Sequence, residues 1–252
     1  MKSWPYPRIF AHRGGGKLAP ENTLAAIRLG QSLGYGAHEF DVKLSQDEVA
    51  LLLHDDTLER TTTGTGRTAD FPWKELQGLD AGSWHSAEFK GERIASFEAA
   101  AKLLRLKGTL ANVEIKPTPG FYPLTGERVA RLAADYWKGA AVPPLLSSFS
   151  FEALMAAKEA APELPRGWLV DEFEEADWGR LKALGAVSLH TNHRKIDRVD
   201  VERLHAEGYR LMLYTVNEPA MAERMFTRGV DGIFTDNLRD FAARFPEHIK
   251  AP

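Results

Sequence analysis

Residues 210–235 read RLMLYTVNEPAMAERMFTRGVDGIFT. A short apolar run from Arg210 gives way to a polar turn. A segment suited to a helix, Glu218–Arg228, comes next, and a second apolar run starts at Asp231. Asn217 stands before the helical segment, Pro219 falls in its first turn and Gly229 follows it, which is the order of start and stop signals for a helix. A strand, a helix and a second strand in so short a span describe one unit of a parallel α/β sheet.

The unit recurs towards the N-terminus. Apolar runs begin near Pro144, Arg166, Ala186, Arg210 and Asp231, roughly 20–24 residues apart. Ser150 is placed to cap a helix over Phe151–Ala160, and Pro162 closes it. Val201 and Leu204 share one helical face, with Gly208 as the stop. In the first half, Arg8–Ala11 and Gly36–Val42 read as strands around a helix, Asn22–Leu33, whose Ala25, Leu29 and Leu33 recur every four residues. A helix over Phe97–Leu106 and a strand over Leu110–Ile115 continue the alternation. Strands starting near Arg8, Gly36, Leu110, Pro144, Arg166, Ala186, Arg210 and Asp231 make eight, so Val49–Leu53 is read as the return arm of a hairpin on the second strand. The expectation is a single (β/α)8 TIM barrel over residues 1–252, a length close to the roughly 250 residues typical of that fold.

The pattern fails between His54 and Ser96. This stretch is rich in Thr, Gly and aromatic residues and is too long for a βα loop. An insertion subdomain over about residues 55–95 is expected, either a stabilising flap or a substrate lid.

Composition narrows the function. Hydrophobic residues at 44% and charged residues at 27% supply both a core and a polar surface. A formal net charge of −3 offers no electrostatic footprint for nucleic acid. The absence of cysteine excludes disulfides, zinc–thiolate sites and thiol nucleophiles. Met1–Pro7 shows no apolar leader and no stretch is long enough to span a membrane, so a cytoplasmic protein is expected. Oligomeric state is not legible, although no exposed helix face carries an obvious apolar stripe.

In such a barrel, chemistry sits at the C-terminal ends of the strands. The first strand runs into His12-Arg13-Gly14, the second carries Glu39 and Asp41, and the third ends in Glu114 and Lys116. Glu39 and Asp41 are two apart, so both point to one face. Neighbouring carboxylates need compensation. Oxygen ligands alone suit Mg²⁺ or Ca²⁺; an ion-pair cluster with Arg13 and Lys116 satisfies the same spacing. His12 and His54 each end an apolar run beside these carboxylates, where acid–base work becomes plausible. His38 alternates with Glu39 and should face away, and His190 ends the sixth strand as a secondary contact. His85, His193, His205 and His248 read as surface residues. Gly14-Gly15-Gly16 allows either close approach of backbone to an anion or a flexible turn.

At these residues the chain resembles the glycerophosphodiester phosphodiesterase family of bacterial cytoplasmic type. The motifs are His12-Arg13-Gly14, Glu21-Asn22-Thr23, Glu39-Phe40-Asp41-Val42, His54-Asp55 followed by Leu58-Glu59-Arg60-Thr61, and Glu114-Ile115-Lys116. Ser148-Phe149-Ser150, Tyr214-Thr215-Val216-Asn217 and Asp231-Gly232-Ile233 extend the likeness over nearly the whole chain. The resemblance implies that Glu39, Asp41 and Glu114 ligate one divalent cation, that His12 and His54 are the acid–base pair, that Arg13 and Lys116 hold the phosphate and that Glu21 supports the site near His12. It implies hydrolysis of small glycerophosphodiesters, such as glycerophosphocholine or glycerophosphoethanolamine, to sn-glycerol 3-phosphate and an alcohol. That would make the protein a hydrolase of glycerol and lipid metabolism. Tyr214 departs from the family's frequent Trp and alters the substrate wall. With a divalent cation and a phosphodiester in place, the charges of the three carboxylates, Arg13 and Lys116 cancel.

Three other readings compete. A lysophospholipase D-like enzyme would need an apolar landing surface, for which Trp73, Trp84 and Phe89 are the candidates. A non-catalytic phosphate-ester binding barrel would have no use for two histidines. A sugar-phosphate isomerase barrel would be expected to carry a glycine-rich phosphate loop after its last strands, which Thr215–Glu218 and Phe234–Asn237 lack.

Overall fold

The computed structural model describes residues 4–251. Residues 1–3, part of the stretch read for a leader, lie outside them. The elements in chain order are β1 (Ile9–Ala11), α1 (Leu24–Ser32), β2 (Ala37–Leu44), β3 (Ala50–Leu52), α2 (Trp73–Leu76), α3 (Phe97–Lys107) and β4 (Leu110–Ile115). They continue with α4 (Tyr122–Tyr136), β5 (Leu145–Ser148), α5 (Phe151–Ala160), β6 (Arg166–Val170), α6 (Ala176–Leu184), β7 (Ser188–Asn192), α7 (Val201–Ala206), β8 (Arg210–Tyr214), α8 (Pro219–Thr227), β9 (Gly232–Thr235) and α9 (Leu238–Arg244).

Eight parallel strands run in the order β1-β9-β8-β7-β6-β5-β4-β2, and β1 pairs with β2 to close the barrel. The ninth strand, β3, is antiparallel to β2, with Lys43 opposite Leu51, and is the hairpin arm expected from the sequence. Alternate residues of the strands bury against the outer helices in one large apolar cluster. A smaller cluster of Tyr6, Phe10, Leu145, Met212 and Phe234 plugs the barrel interior. The plug leaves the polar residues gathered at the opposite, C-terminal end.

Caps fix where the helices begin. Thr23, Ser96, Ser150 and Asp200 each accept a hydrogen bond from the backbone amide three residues on, an arrangement worth about 1 kcal/mol per helix. Two boundaries move for functional reasons. The helix expected over Asn22–Leu33 begins only at Leu24, because Asn22 takes a left-handed conformation (φ +60°) and turns its side chain to Asp41. The helix expected from Glu218 begins at Pro219, and Asn217 is drawn towards Asp236. Four helices, α2, α4, α6 and α9, had no clear reading in sequence. In α4 an interior glycine obscures the pattern: Gly126 lies against α5, and a Cβ there would sit 2.0 Å from the Ala153 carbonyl oxygen.

The stretch between β3 and α3 forms its own apolar cluster. Leu58, Leu76, Ala81 and Ile94 bury with Leu51 and Leu53, and Phe71 and Trp73 pack on them. It is tied to the barrel by the Ala25 amide donating to Glu92 Oε1 and by a 3.1 Å contact between His85 Nε2 and the Lys17 carbonyl oxygen.

Candidate active site

β2 and β4 lie side by side with Glu39 opposite Asn112 and Asp41 opposite Glu114. Register therefore brings Glu39, Asp41 and Glu114 together, and one ligand oxygen from each lies within 4.8 Å of the others. The Glu39 and Asp41 side chains are almost wholly buried and Glu114 is partly so. Glu39 Oε2 accepts from the Arg13 amide at 2.8 Å. Asp41 Oδ2 accepts from Asn22 Nδ2 at 2.8 Å, and the Asp41 amide donates back to Asn22 Oδ1. Glu39 Oε1 and Glu114 Oε1, both buried, find no hydrogen-bond partner among the described residues. Burial, and then the Asp41 charge, raises Glu39 to about 8 and Glu114 to about 7. Asp41 itself stays below the usual carboxylate range: burial opposes its charge, but Arg13, His54 and Lys116 outweigh that. Three carboxylates in one buried cluster, with Glu39 Oε1 left without a donor and only Lys116 beside Glu114 Oε1, fit a hard divalent cation, and the triad can hold one.

The two imidazoles flank the triad. His12 Nδ1–H donates to Asp236 Oδ1 at 2.6 Å, and His12 Nε2 lies 3.8 Å from Glu39 Oε2. Asp236 is held in turn by Asn217, which donates from Nδ2 to Asp236 Oδ2 and accepts the Asp236 amide. His54 Nδ1–H donates to Asp55 Oδ1 at 2.6 Å, and Lys116 Nζ donates to His54 Nε2 at 3.3 Å. Burial works against a charge on both rings. At His12 the Asp236 hydrogen bond and the Glu39 and Asp236 charges overcome it and raise the pKa. At His54 burial prevails, aided by Arg13 and Lys116, and the pKa falls.

Arg13 Nη1 donates to Glu21 Oε1 at 2.7 Å, while its Nε, 3.7 Å from Asp41 Oδ2, has no hydrogen-bond partner among the described residues. Arg13, like Asn22, sits at positive φ, +50°, a conformation that costs a non-glycine residue energy and tends to persist at functional sites. Lys116 Nζ lies 3.2 Å from Glu114 Oε1. Glu21 lies one step from the chemistry: it accepts from Arg13 and also from both terminal nitrogens of Arg60, whose Nε donates to Asp55.

All eight residues singled out in sequence thus meet at one end of the barrel. Sequence reasoning missed Asp236, Asn217 and the Asn22 amide, and assigned no part to Asp55 or Arg60. Asp55 was available as the residue next to His54. Asp236 offered only its place just past a strand end. His38 faces outward as expected, its Nδ1 3.0 Å from the Gly14 carbonyl oxygen.

The polar cluster opens into a cavity of about 170 Å³ lined by the triad, both imidazoles, Phe149 and Tyr214. An open groove of about 810 Å³ adjoins it, bounded by Lys43, Asp56, Tyr122, Phe149 and Glu152. Tyr214 donates its hydroxyl to the Val170 carbonyl and meets the Phe149 ring edge to face.

The strand order and this cluster at the C-terminal mouth define a (β/α)8-barrel enzyme. Residues 12–239 match the glycerophosphoryl diester phosphodiesterase family. A glycerophosphodiester phosphodiesterase of Caldanaerobacter subterraneus subsp. tengcongensis is 36% identical over 229 residues, spanning 91% of this chain and 93% of that protein. One from Bacillus altitudinis is 31% identical over 247 residues, 96% of this chain and 99% of that protein. A phosphodiesterase from Oleispira antarctica, solved in complex with the product sn-glycerol-3-phosphate, superposes with a TM-score of 0.86 at 33% identity, covering 96% of this chain and 98% of that one. The chain belongs to the glycerophosphoryl diester phosphodiesterase family. Among the described residues, no helix is long and apolar enough to cross a membrane.

Proposed function

We propose that this barrel, with its insertion over about residues 55–95, is one catalytic domain that hydrolyses small glycerophosphodiesters, such as glycerophosphocholine and glycerophosphoethanolamine, to sn-glycerol 3-phosphate and an alcohol in the cytoplasm. The observation that carries the reading is the facing of two carboxylate-held imidazoles across one buried acidic triad. Glu39, Asp41 and Glu114 would hold one Mg²⁺ or Ca²⁺, which would supply Lewis-acid polarisation at the phosphoryl group. Arg13, through its free Nε edge, and Lys116 bind the remaining phosphate oxygens and meet the charge that grows on them.

The hydrogen-bond pattern supports a division of the proton work. Lysine is only a donor, so His54 Nε2 is the unprotonated nitrogen, its lone pair turned to Lys116, and the ring proton sits on Nδ1 towards Asp55. His54 is the base. Both nitrogens of His12 face carboxylates, which favours the doubly protonated ring. His12 is the acid that protonates the leaving oxygen. Glu21 and Arg60 keep Arg13 and Asp55 in place. The enclosed cavity takes the glycerol half and the open groove takes the alcohol, so head groups of several kinds fit.

The lysolipid reading is weaker. Of its three aromatic candidates, Trp73 packs into the insertion's own core and Phe89 is half-buried, leaving Trp84, 41% exposed. The test is release of glycerol 3-phosphate from glycerophosphocholine in EDTA, Mg²⁺ or Ca²⁺. Release that requires a divalent cation supports the reading. A folded, cation-supplied protein that releases none contradicts it.

A further inference from the structure

The basic groups that line the open groove of about 810 Å³ are all engaged, and its carboxylates are not. Lys43 Nζ donates to Asp56 Oδ1 at 2.6 Å, and the Lys43 side chain is 2% exposed against 45% for Asp56. That pair therefore turns its carboxylate, not its ammonium, to the groove. Lys116 is held by Glu114 and His54 beside the triad, and His54 Nδ1 by Asp55. Glu152, exposed in the first turn of α5, lines the same groove and forms no ion pair among the described residues. Aromatic rings complete the wall. Tyr122 lies on the groove, and Phe149, 45% exposed, lines both the cavity and the groove and so marks where they meet. One turn sets Phe149 and Glu152. Ser148 Oγ donates to the Ile115 carbonyl and accepts the Ser150 amide, and Ser150 caps the helix that carries Glu152.

We propose that this groove selects leaving alcohols that carry a cation over neutral and anionic ones, with Phe149 and Glu152 as the residues that set the preference. This rests on the phosphodiesterase reading above, which leaves the choice among alcohols open. An ammonium is drawn to the face of an aromatic ring, most strongly when it is quaternary and weakly hydrated. A quaternary nitrogen has no N–H to donate, so ring contact and nearby carboxylate charge are the means of holding it. In an ester of choline type the nitrogen stands two carbons beyond the ester oxygen, about 4 Å away when extended. That carries it off the phosphate to the boundary where Phe149 stands, with Glu152 and Asp56 on the groove beyond. Lys116 Nζ is 5.6 Å from the Phe149 centroid, but its charge is met by Glu114 and by the phosphate it binds. A neutral polyol gains little from the rings, and an alcohol bearing an acid group meets carboxylates of its own sign.

The test compares kcat/KM on glycerophosphocholine with that on the glycerophosphate ester of 3,3-dimethylbutanol, in which carbon replaces the charged nitrogen and the shape is kept. Wild type is expected to prefer the choline ester. The two alcohols differ in acidity as leaving groups, but that difference is the same for every variant, so the change in the ratio between variants reports the groove. Glu152→Gln is expected to lower the ratio about 3-fold and Glu152→Lys about 10-fold. Phe149→Leu is expected to lower it by about 3–10-fold. Each variant should lose rate chiefly on the choline ester, and its rate on the neutral ester reports whether fold and chemistry survive. A wild type with no preference for the choline ester overturns the proposal and needs no variant to do so. A ratio left at the wild-type value by the Glu152 variants, or by Phe149→Leu, also overturns it, because equal loss on both esters is the mark of a structural role. A wild type that hydrolyses neither ester removes the phosphodiesterase reading first and this inference with it.

Discussion

His12 and His54 meet the same requirement with different parts of the molecule. Each turns Nδ1 to a carboxylate 2.6 Å away and Nε2 towards the triad. The partner of His12 is Asp236, 224 residues distant and brought near by the pairing of β1 with β9 that helps close the barrel. The partner of His54 is its neighbour Asp55, fixed by Arg60 and through it by Glu21. The barrel's own staves thus hold one ring, while the first turns of the insertion hold the other. The surroundings differ in charge as well: carboxylates face both nitrogens of His12, whereas a lysine faces His54 Nε2. Barrel closure raises the pKa of one ring, whereas burial beside Arg13 and Lys116 lowers that of the ring held by the insertion.

Several experiments break or sharpen this contrast. The largest effect is expected from removing either ring: His12→Ala and His54→Ala should each lower kcat by about 10²–10⁴-fold without loss of folded structure by circular dichroism. Removing the carboxylates comes next. Asp236→Asn and Asp55→Asn should each cost about 10–100-fold, the scale of a hydrogen bond to a charged group. Their pH–rate profiles should differ. Asp236 raises His12, so Asp236→Asn should move the alkaline limb of kcat/KM to lower pH. Asp55 also raises its ring, so Asp55→Asn should move the acid limb to lower pH. An unmoved limb in either variant would separate that carboxylate from its imidazole. Arg60→Ala should have the smallest effect on activity, a few-fold, and should cost under about 1 kcal/mol in denaturant unfolding, because Arg60 is 44% exposed and its ion pairs are screened.

The triad makes a separate prediction about stability. Glu39 and Glu114 are raised above their ordinary value, to about 8 and about 7. The folded chain therefore keeps protons that the unfolded chain has released, and stability is lost as pH rises from the ordinary carboxylate range through those values. In EDTA the melting temperature should fall between about pH 5 and pH 8, and Mg²⁺ or Ca²⁺ should restore it. A melting temperature in EDTA that rises across that window would mean the triad's carboxylates are not raised.

Much of this was legible in the sequence, for reasons that differ by element. The period of apolar runs from Pro144 onward gave the strands, because parallel strands buried on both faces read as continuous apolar stretches. Ser150 and Gly208 marked helix ends through local backbone chemistry that needs no tertiary partner. The helix α4 was obscured because Gly126 serves a close crossing with α5, which only the folded packing reveals. In the site, strand alternation alone showed that Glu39 and Asp41 share one face, while their part as cation ligands came only from the family resemblance. Asp236 and Asn217 were not, since their part depends on β9 lying beside β1. Asn22 misled the reading of the first helix because its side chain serves Asp41 rather than the helix end.

Leaving-group chemistry separates the proton work of the two rings. A glycerophosphodiester whose leaving group is p-nitrophenol departs without needing a proton. The measurement is kcat for His12→Ala and His54→Ala on this ester and on glycerophosphocholine. His12→Ala is expected to regain most of its lost rate on the p-nitrophenyl ester while His54→Ala stays impaired on both. Recovery of His54→Ala instead, or of neither variant, would contradict it.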